Sequence, residues 1–218
     1  TGTLSPAPSA ESMVDNAQTG GWSSQIAPDT SHPAASEALN KSLANVVSQY
    51  FNGINSISGS FIQTTADQKR MKGKFSLLRP GKFRFDYALP SKQVIISDGQ
   101  YIAIQDHDLN NEDRVELDQT PFRLLLRKEV DLSRDAQISD ALENENNISL
   151  TLQDKNPDTP GRIRLTLLKN PELQLKEWVT TDAQGQDTRI EITDFSKGEK
   201  INPSLFTISA VTANPLRQ

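Results

Sequence analysis

The sequence predicts a mainly β fold with helices: a strongly curved antiparallel sheet of about ten strands, covered on one face by one long and one or two short helices. Three observations carry this. After residue 55 most of the chain runs in short segments that alternate apolar and polar residues. Turn signals separate them, among them Pro80-Gly81, Asp98-Gly99, Asn156-Pro157, Pro160-Gly161 and the segment DAQGQD. A single long amphipathic helical pattern precedes them. A sheet of that size curls or closes. Its apolar face then becomes the interior, its polar face meets water, and the helices plug the mouth.

The first 36 residues are rich in Ser, Pro, Ala and Gly, without a period. They bury too little to offset their ordering entropy, so a flexible, disordered tail is expected over 1–36, a tether or a purification remnant. Residues 37–218 are the expected folded domain. In SEALNKSLANVVSQYFNGI, Leu39, Leu43, Val46, Val47, Tyr50, Phe51 and Ile54 recur at helical spacing, with Ser36 as the expected N-cap and Gly53 as the stop. The period then changes to two. SISGSFIQTT sets Ile57, Gly59, Phe61 and Gln63 on one face. MKGKFSLLR sets Met71, Gly73, Phe75, Leu77 and Arg79 on one face, and KFRFDY sets Phe83, Phe85 and Tyr87 opposite Arg84 and Asp86. Further strands are expected in KQVIISD, QYIAIQD, DRVELD, NISLTLQD, RIRLTLL, QLKEWVTT and TRIEITDF. TPFRLLLRKEV interrupts them as a short helix, with Thr120 as N-cap, Pro121 at the first helical position and Phe122, Leu125 and Leu126 on the buried side. DLSRDAQISDALEN reads as helical at first and as a strand from Gln137.

Composition narrows the function. A net charge of −5 over 218 residues argues against a nucleic-acid footprint. The basic residues near aromatics, such as Lys82 and Arg84 beside Phe83 and Phe85, lie on the opposite face from them, so no stacking platform forms. There is no cysteine, which removes disulfides, thiolate metal sites and a cysteine nucleophile. No run of eighteen apolar residues occurs, so no transmembrane helix is expected. Two histidines, His32 and His107, stand outside any catalytic motif, and no phosphate-binding glycine loop is present. In DHDLNNED, Asp106, Asp108 and Asn110 imitate the start of a calcium loop. Asn111 stands where glycine is required and Leu117 where glutamate is required, so a solvated hairpin tip is expected. The reading is therefore not an enzyme, with no catalytic residue, metal or cofactor.

One feature resists the simple pattern. Arg79 shares the parity of Phe75 and Leu77 and so faces the apolar side, where an unpartnered guanidinium is costly. Carbonyls at the end of a short helix satisfy it, or it reaches solvent past the rim. The wall formed by Phe61, Phe75, Leu77, Phe83, Phe85 and Tyr87, completed by strands from the C-terminal half, either fills a core or lines a cavity.

SFIQTTAD, LLRPGKFRFDYALP, VIISDGQYIAIQD, TPFRLLL and NPSLFTI together resemble the periplasmic outer-membrane lipoprotein carrier family (LolA), in order and spacing from about Leu39 to Ile208. The resemblance implies an unclosed antiparallel β-barrel of about ten to eleven strands with an α-helical lid over an apolar cavity. It implies a periplasmic chaperone, a monomer whose signal peptide has been removed. Such a chaperone receives lipoproteins from an inner-membrane ABC exporter, shields their acyl chains and passes them to an outer-membrane receptor. Residue by residue, it implies that Arg79 latches the lid and that Phe61, Phe75, Leu77, Phe83, Phe85 and Tyr87 line the acyl-chain cavity. Leu43, Val46, Val47, Phe122, Leu124, Leu125 and Leu126 would form the lid's underside. The alternative on the same fold is a lipid- or lipoprotein-sensing periplasmic regulator. Such proteins usually append a second domain, and the short stretch after the barrel favours the carrier.

Overall fold

The computed structural model describes residues 33–211. Apart from residues 33–36, the tail expected over 1–36 lies outside the described residues. The compact unit begins at Ala38. The first helix, α1 (Pro33–Asn52), starts before Ser36, so that serine is not its N-cap. Proline suits the start, because its fixed φ and missing N–H cost nothing at a first helical position. Gly53 ends the helix as expected, its N–H donating to Gln49 O at 3.0 Å. Leu43, Ala44, Val47, Phe51 and Ile54 form the buried stripe, while Leu39 stays exposed. Among the described residues no helix is long and apolar enough to cross a membrane.

Eleven strands follow: β1 (Ser56–Thr64), β2 (Arg70–Leu78), β3 (Lys82–Tyr87), β4 (Gln93–Asp98), β5 (Tyr101–Asp106), β6 (Asn111–Glu116), β7 (Ala136–Glu143), β8 (Asn147–Asp154), β9 (Arg162–Leu168), β10 (Gln174–Thr181) and β11 (Asp187–Lys197). They form one sheet in the order β6-β5-β4-β3-β2-β1-β11-β10-β9-β8-β7. Two meanders therefore diverge from the central pairing of β1 with β11. β6 and β7 are edges that do not pair with each other, so the barrel is unclosed.

The connection between the edges carries α2 (Arg123–Leu126) and α3 (Leu132–Asp135). Thr120 does not cap α2: its hydroxyl donates backward to Leu117 O at 2.8 Å, and the helix starts at Arg123 without a side-chain cap. α3 is capped by Asp131, whose carboxylate accepts from Arg134 N at 3.2 Å. The strand expected from Gln137 begins one residue earlier, at Ala136.

The outer face is not wholly wet. Ile96 and Ala103 are register partners on that face, and both are buried. The 3-10 turn Pro203–Phe206 returns across β3 and β4, burying Phe206, and Arg84 donates to Leu205 O at 3.2 Å. Alternation within one strand does not reveal a distant segment that comes back to cover it.

Two inner glycines set how closely the central strands pack. A Cβ on Gly59 would stand 1.8 Å from Asp194 O, and one on Gly73 would stand 2.1 Å from Asp86 O and 3.0 Å from the Phe61 ring. Gly73 pairs with Phe61 on one side and Tyr87 on the other, so its bare backbone gives the Phe61 ring its place. Gly73→Ala is expected to destabilise the fold by about 1–3 kcal/mol through forced backbone shifts. Denaturant unfolding monitored by tryptophan fluorescence measures this.

Candidate ligand-binding cavity

Alternation brings the aromatic side chains of β2 and β3 to one inner wall. Phe75 faces Phe85 and Leu77 faces Phe83 across the strand pair. Phe75 stacks on Phe85 with ring centroids 5.9 Å apart, and Phe85 meets Trp178 edge-on at 6.1 Å. Phe83 reaches across to Phe122, just before α2, at 6.1 Å. Between these walls lies a cavity of about 410 Å³, within the range of about 300–1,000 Å³ usual for small-ligand sites. Among the described residues its lining includes no charged one.

Of the expected wall residues, Phe75, Leu77, Phe83, Phe85 and Tyr87 line this space. Phe61 does not. It is only 1% exposed and stands behind the wall, edge-on to Phe85 and Tyr87 at 5.1 and 5.2 Å, in the space that Gly73 leaves. Of the expected lid residues, Phe122, Leu125 and Leu126 line the cavity. Leu43, Val46, Val47 and Leu124 do not; they pack into a solid core with Leu132, Leu150 and Leu152. α1 thus covers a filled half of the barrel, and only its end, at Phe51, reaches the hollow half.

Leu175, Trp178 and Ile190 also line it and were not singled out from sequence. Strict alternation separates Leu175 from Trp178. The register of β10 against β9 jumps between Leu175 and Glu177, so Lys176 is the extra residue of a bulge and both side chains reach the same face. No turn residue marks that bulge in QLKEWVTT.

Arg79 follows directly on β2 and lies between two helix ends. Its Nη1 donates to Phe51 O and to Ile54 O, the latter at 3.1 Å. Its Nη2 donates to Arg127 O and to Lys128 O, the latter at 3.3 Å. Phe51 O is among the last carbonyls of α1, which lack intrahelical partners, and the other three acceptors lie just past the ends of α1 and α2. The parity reading and the helix-end acceptors therefore hold, and the route past the rim into solvent is not taken. Burial lowers the Arg79 pKa, and its Nε is enclosed without a partner among the described residues. The corner is tied by backbone as well: Arg79 N donates to Asn55 O and Gly81 N to Leu126 O, each at 2.9 Å.

Further polar ties fix the roof. Asn52 brackets Val130, donating to its O at 2.9 Å and accepting from its N at 2.8 Å. The Ser48 hydroxyl accepts from Leu132 N at 3.0 Å, and the Tyr50 hydroxyl accepts from Leu175 N at 2.9 Å. On α2, Arg123 pairs with Asp154 at the end of β8, Nη2 to Oδ1 at 2.7 Å. The Asp154 side chain is fully enclosed. Burial alone would raise its pKa, but the Arg123 guanidinium and the Asn156 N–H outweigh this and hold the carboxyl below its usual range.

Fold and cavity together define an unclosed antiparallel barrel, roofed by helices, around an uncharged interior. The sequence pattern of the family described as Outer membrane lipoprotein carrier protein LolA matches residues 52–209, and the chain belongs to that family. An outer-membrane lipoprotein carrier protein of Methylococcus capsulatus is 31% identical over 169 residues, 73% of this chain and 80% of that protein. One of Neisseria gonorrhoeae is 41% identical over 68 residues, 30% of this chain; the match spans only 33% of the relative's length. A solved LolA superfamily protein of Nitrosomonas europaea superposes with a TM-score of 0.42 at 11% identity, covering 76% of this chain and 97% of the other.

The Arg123–Asp154 pair gives a signed pH dependence. A carboxyl held below its unfolded value contributes stability that is fully present above about pH 4, the unfolded pKa. That contribution is lost as pH falls through the lower folded pKa. Asp154→Asn is expected to lose about 1–3 kcal/mol at neutral pH and to show a flatter decline of melting temperature between about pH 4 and 2 than the parent. Melting curves across that window measure both.

Proposed function

We propose that this protein is a periplasmic lipoprotein carrier, a chaperone and not an enzyme, with residues 37–218 as the carrier domain. It takes lipoproteins from an inner-membrane ABC exporter, holds their acyl chains in the cavity and passes them to a receptor at the outer membrane. It works as a monomer and without a cofactor. The observation that carries this reading is the uncharged, largely apolar cavity beneath helices clasped by Arg79. Family membership supports the cargo class.

The energetics give the clasp its role. Burying acyl chain yields about 0.8 kcal/mol per methylene, so a sixteen-carbon chain gains on the order of 10 kcal/mol. A carrier that kept all of that would not release its cargo. Entry of a chain displaces the roof and breaks the Arg79 hydrogen bonds, each worth about 1.5–3 kcal/mol to a charged donor. That opposing cost lowers net affinity enough for a stronger acceptor to take over. Phe75, Leu77, Phe83, Phe85 and Tyr87 serve as the acyl wall, with Phe61 supporting it, and Phe122, Leu125 and Leu126 as the moving underside.

A fluorescent apolar probe is expected to bind one per chain, to be displaced by an acylated peptide, and to be unaffected by the same peptide without its acyl group. Arg79→Leu is expected to hold acylated cargo more tightly and to slow its handover to acceptor vesicles carrying the receptor by about ten-fold. Handover at the parent rate would end the clasp's role, and failure of acylated peptide to displace the probe would end the carrier reading.

A further inference from the structure

The cavity is not uniform along its length. Gln63 near the end of β1, Tyr87 at the end of β3, Thr180 near the end of β10 and Thr188 near the start of β11 all line it. Gln63 lies opposite Ile190, two residues on from Thr188, and Thr188 lies opposite Thr180. The register therefore places Gln63 diagonal to Thr188 on the neighbouring strand and Thr188 opposite Thr180, while Tyr87 comes from β3, two strands from β1. Arg79 and the end of α1 lie beyond the other end of β1 and β2.

Gln63 is 9% exposed and Tyr87 8%. The Tyr87 hydroxyl donates to Gln63 Oε1, which orients the carboxamide. Among the described residues no acceptor meets Gln63 Nε2, and Thr180 Oγ1 makes only a contact of 3.5 Å to Thr188 O. Both residues line the cavity, so these donors are open to an acceptor carried by a ligand there.

We propose that this end of the cavity is a subsite for the neutral ester or amide carbonyl that joins an acyl chain to the rest of its ligand, with Gln63 as the donor and Tyr87 as its positioning residue. The proposal rests on the carrier reading above and adds the direction in which the ligand lies and the linkage it must carry. Hydrocarbon fills the aromatic part, and the linkage rests against Gln63. Among the described residues no charged side chain lines the space, so an ionised fatty acid would bury its carboxylate without a counter-charge. Burial pushes the Tyr87 phenol up to about 12, so it stays protonated and adds no charge. The subsite therefore selects esters and amides over free fatty acids.

The test is displacement of bound N-phenyl-naphthylamine at pH 8 by methyl laurate, laurate and tridecane, on the parent protein and on Gln63→Met. The parent is expected to bind the ester about ten-fold more tightly than the alkane, the gain of one buried hydrogen bond, and to bind laurate more weakly than the ester. Gln63→Met is expected to abolish that advantage while leaving tridecane within two-fold. A folded Gln63→Met that keeps the advantage overturns the subsite, as does a parent that binds ester and alkane alike. If Gln63→Met shows no cooperative melting, Tyr87→Phe is read in its place: a reduced advantage supports the subsite and an unchanged one overturns it. Failure of all three compounds to displace the probe from the parent sinks the carrier reading instead, and this proposal with it.

Discussion

One guanidinium joins the ends of both covering helices to the wall of this barrel. Arg79 stands at the corner after β2 and reaches carbonyls at the end of α1 and just beyond α2. Phe51 O is one of the α1 carbonyls without an intrahelical partner, and a cation there also matches the negative end of the α1 dipole. All four acceptors are neutral. A carboxylate partner would leave two stranded charges when the pair broke. A guanidinium and carbonyls at a rim can each return to water. The contact thus joins both helix ends to the corner after β2 without pairing two charges.

Packing beneath the roof is uneven. Beneath α1 the leucines and isoleucines of β8 and β9 form a filled core with Leu43, Val47 and Leu132, and polar ties from Ser48, Asn52 and Tyr50 hold the helix. This half supplies stability. The other half is built of large rings that touch edge-on or offset. Rings of that size span gaps without closing them, and α2, a helix of one turn, lies over the space they leave. The two meet at Phe83, Ile102, Leu165 and Leu175, which belong to the core cluster and also line the cavity.

The strands and their inward faces were legible because period two survives wherever a strand is regular. Phe75, Leu77, Phe83, Phe85 and Tyr87 all point where alternation sends them. Arg79 was legible as an anomaly of parity, since a charge on an apolar face demands acceptors whatever the fold. Trp178 was not, because the bulge at Lys176 shifts its register without a sequence signature. Nor was the withdrawal of Phe61 from the lining, which depends on Gly73 in the neighbouring strand, a relation between strands that no single run contains. The division between filled and hollow halves escaped for the same reason: hydrophobic pattern fixes which way a side chain points and says nothing of how far the opposite wall stands.

The unclosed edge follows from the same demand for room. Pairing β6 with β7 would fix the circumference and with it the volume inside. Leaving them apart exposes two strand edges to foreign pairing, and each is guarded. β6 carries Glu112, Asp113, Arg114 and Glu116, with Arg114 paired to Glu112 at 2.9 Å, and a charged edge repels a further strand. β7 breaks its ladder between Ile138 and Asp140, and a bulge there twists the edge away. With both edges blunted, the sheet keeps its open seam without inviting aggregation. The connection across that seam, from β6 through α2 and α3 to β7, is the segment that Arg79 and Arg123 hold. The gap in the barrel and the fastened roof therefore meet in one segment: the chain that spans the unpaired edges is the chain that the two arginines tie down.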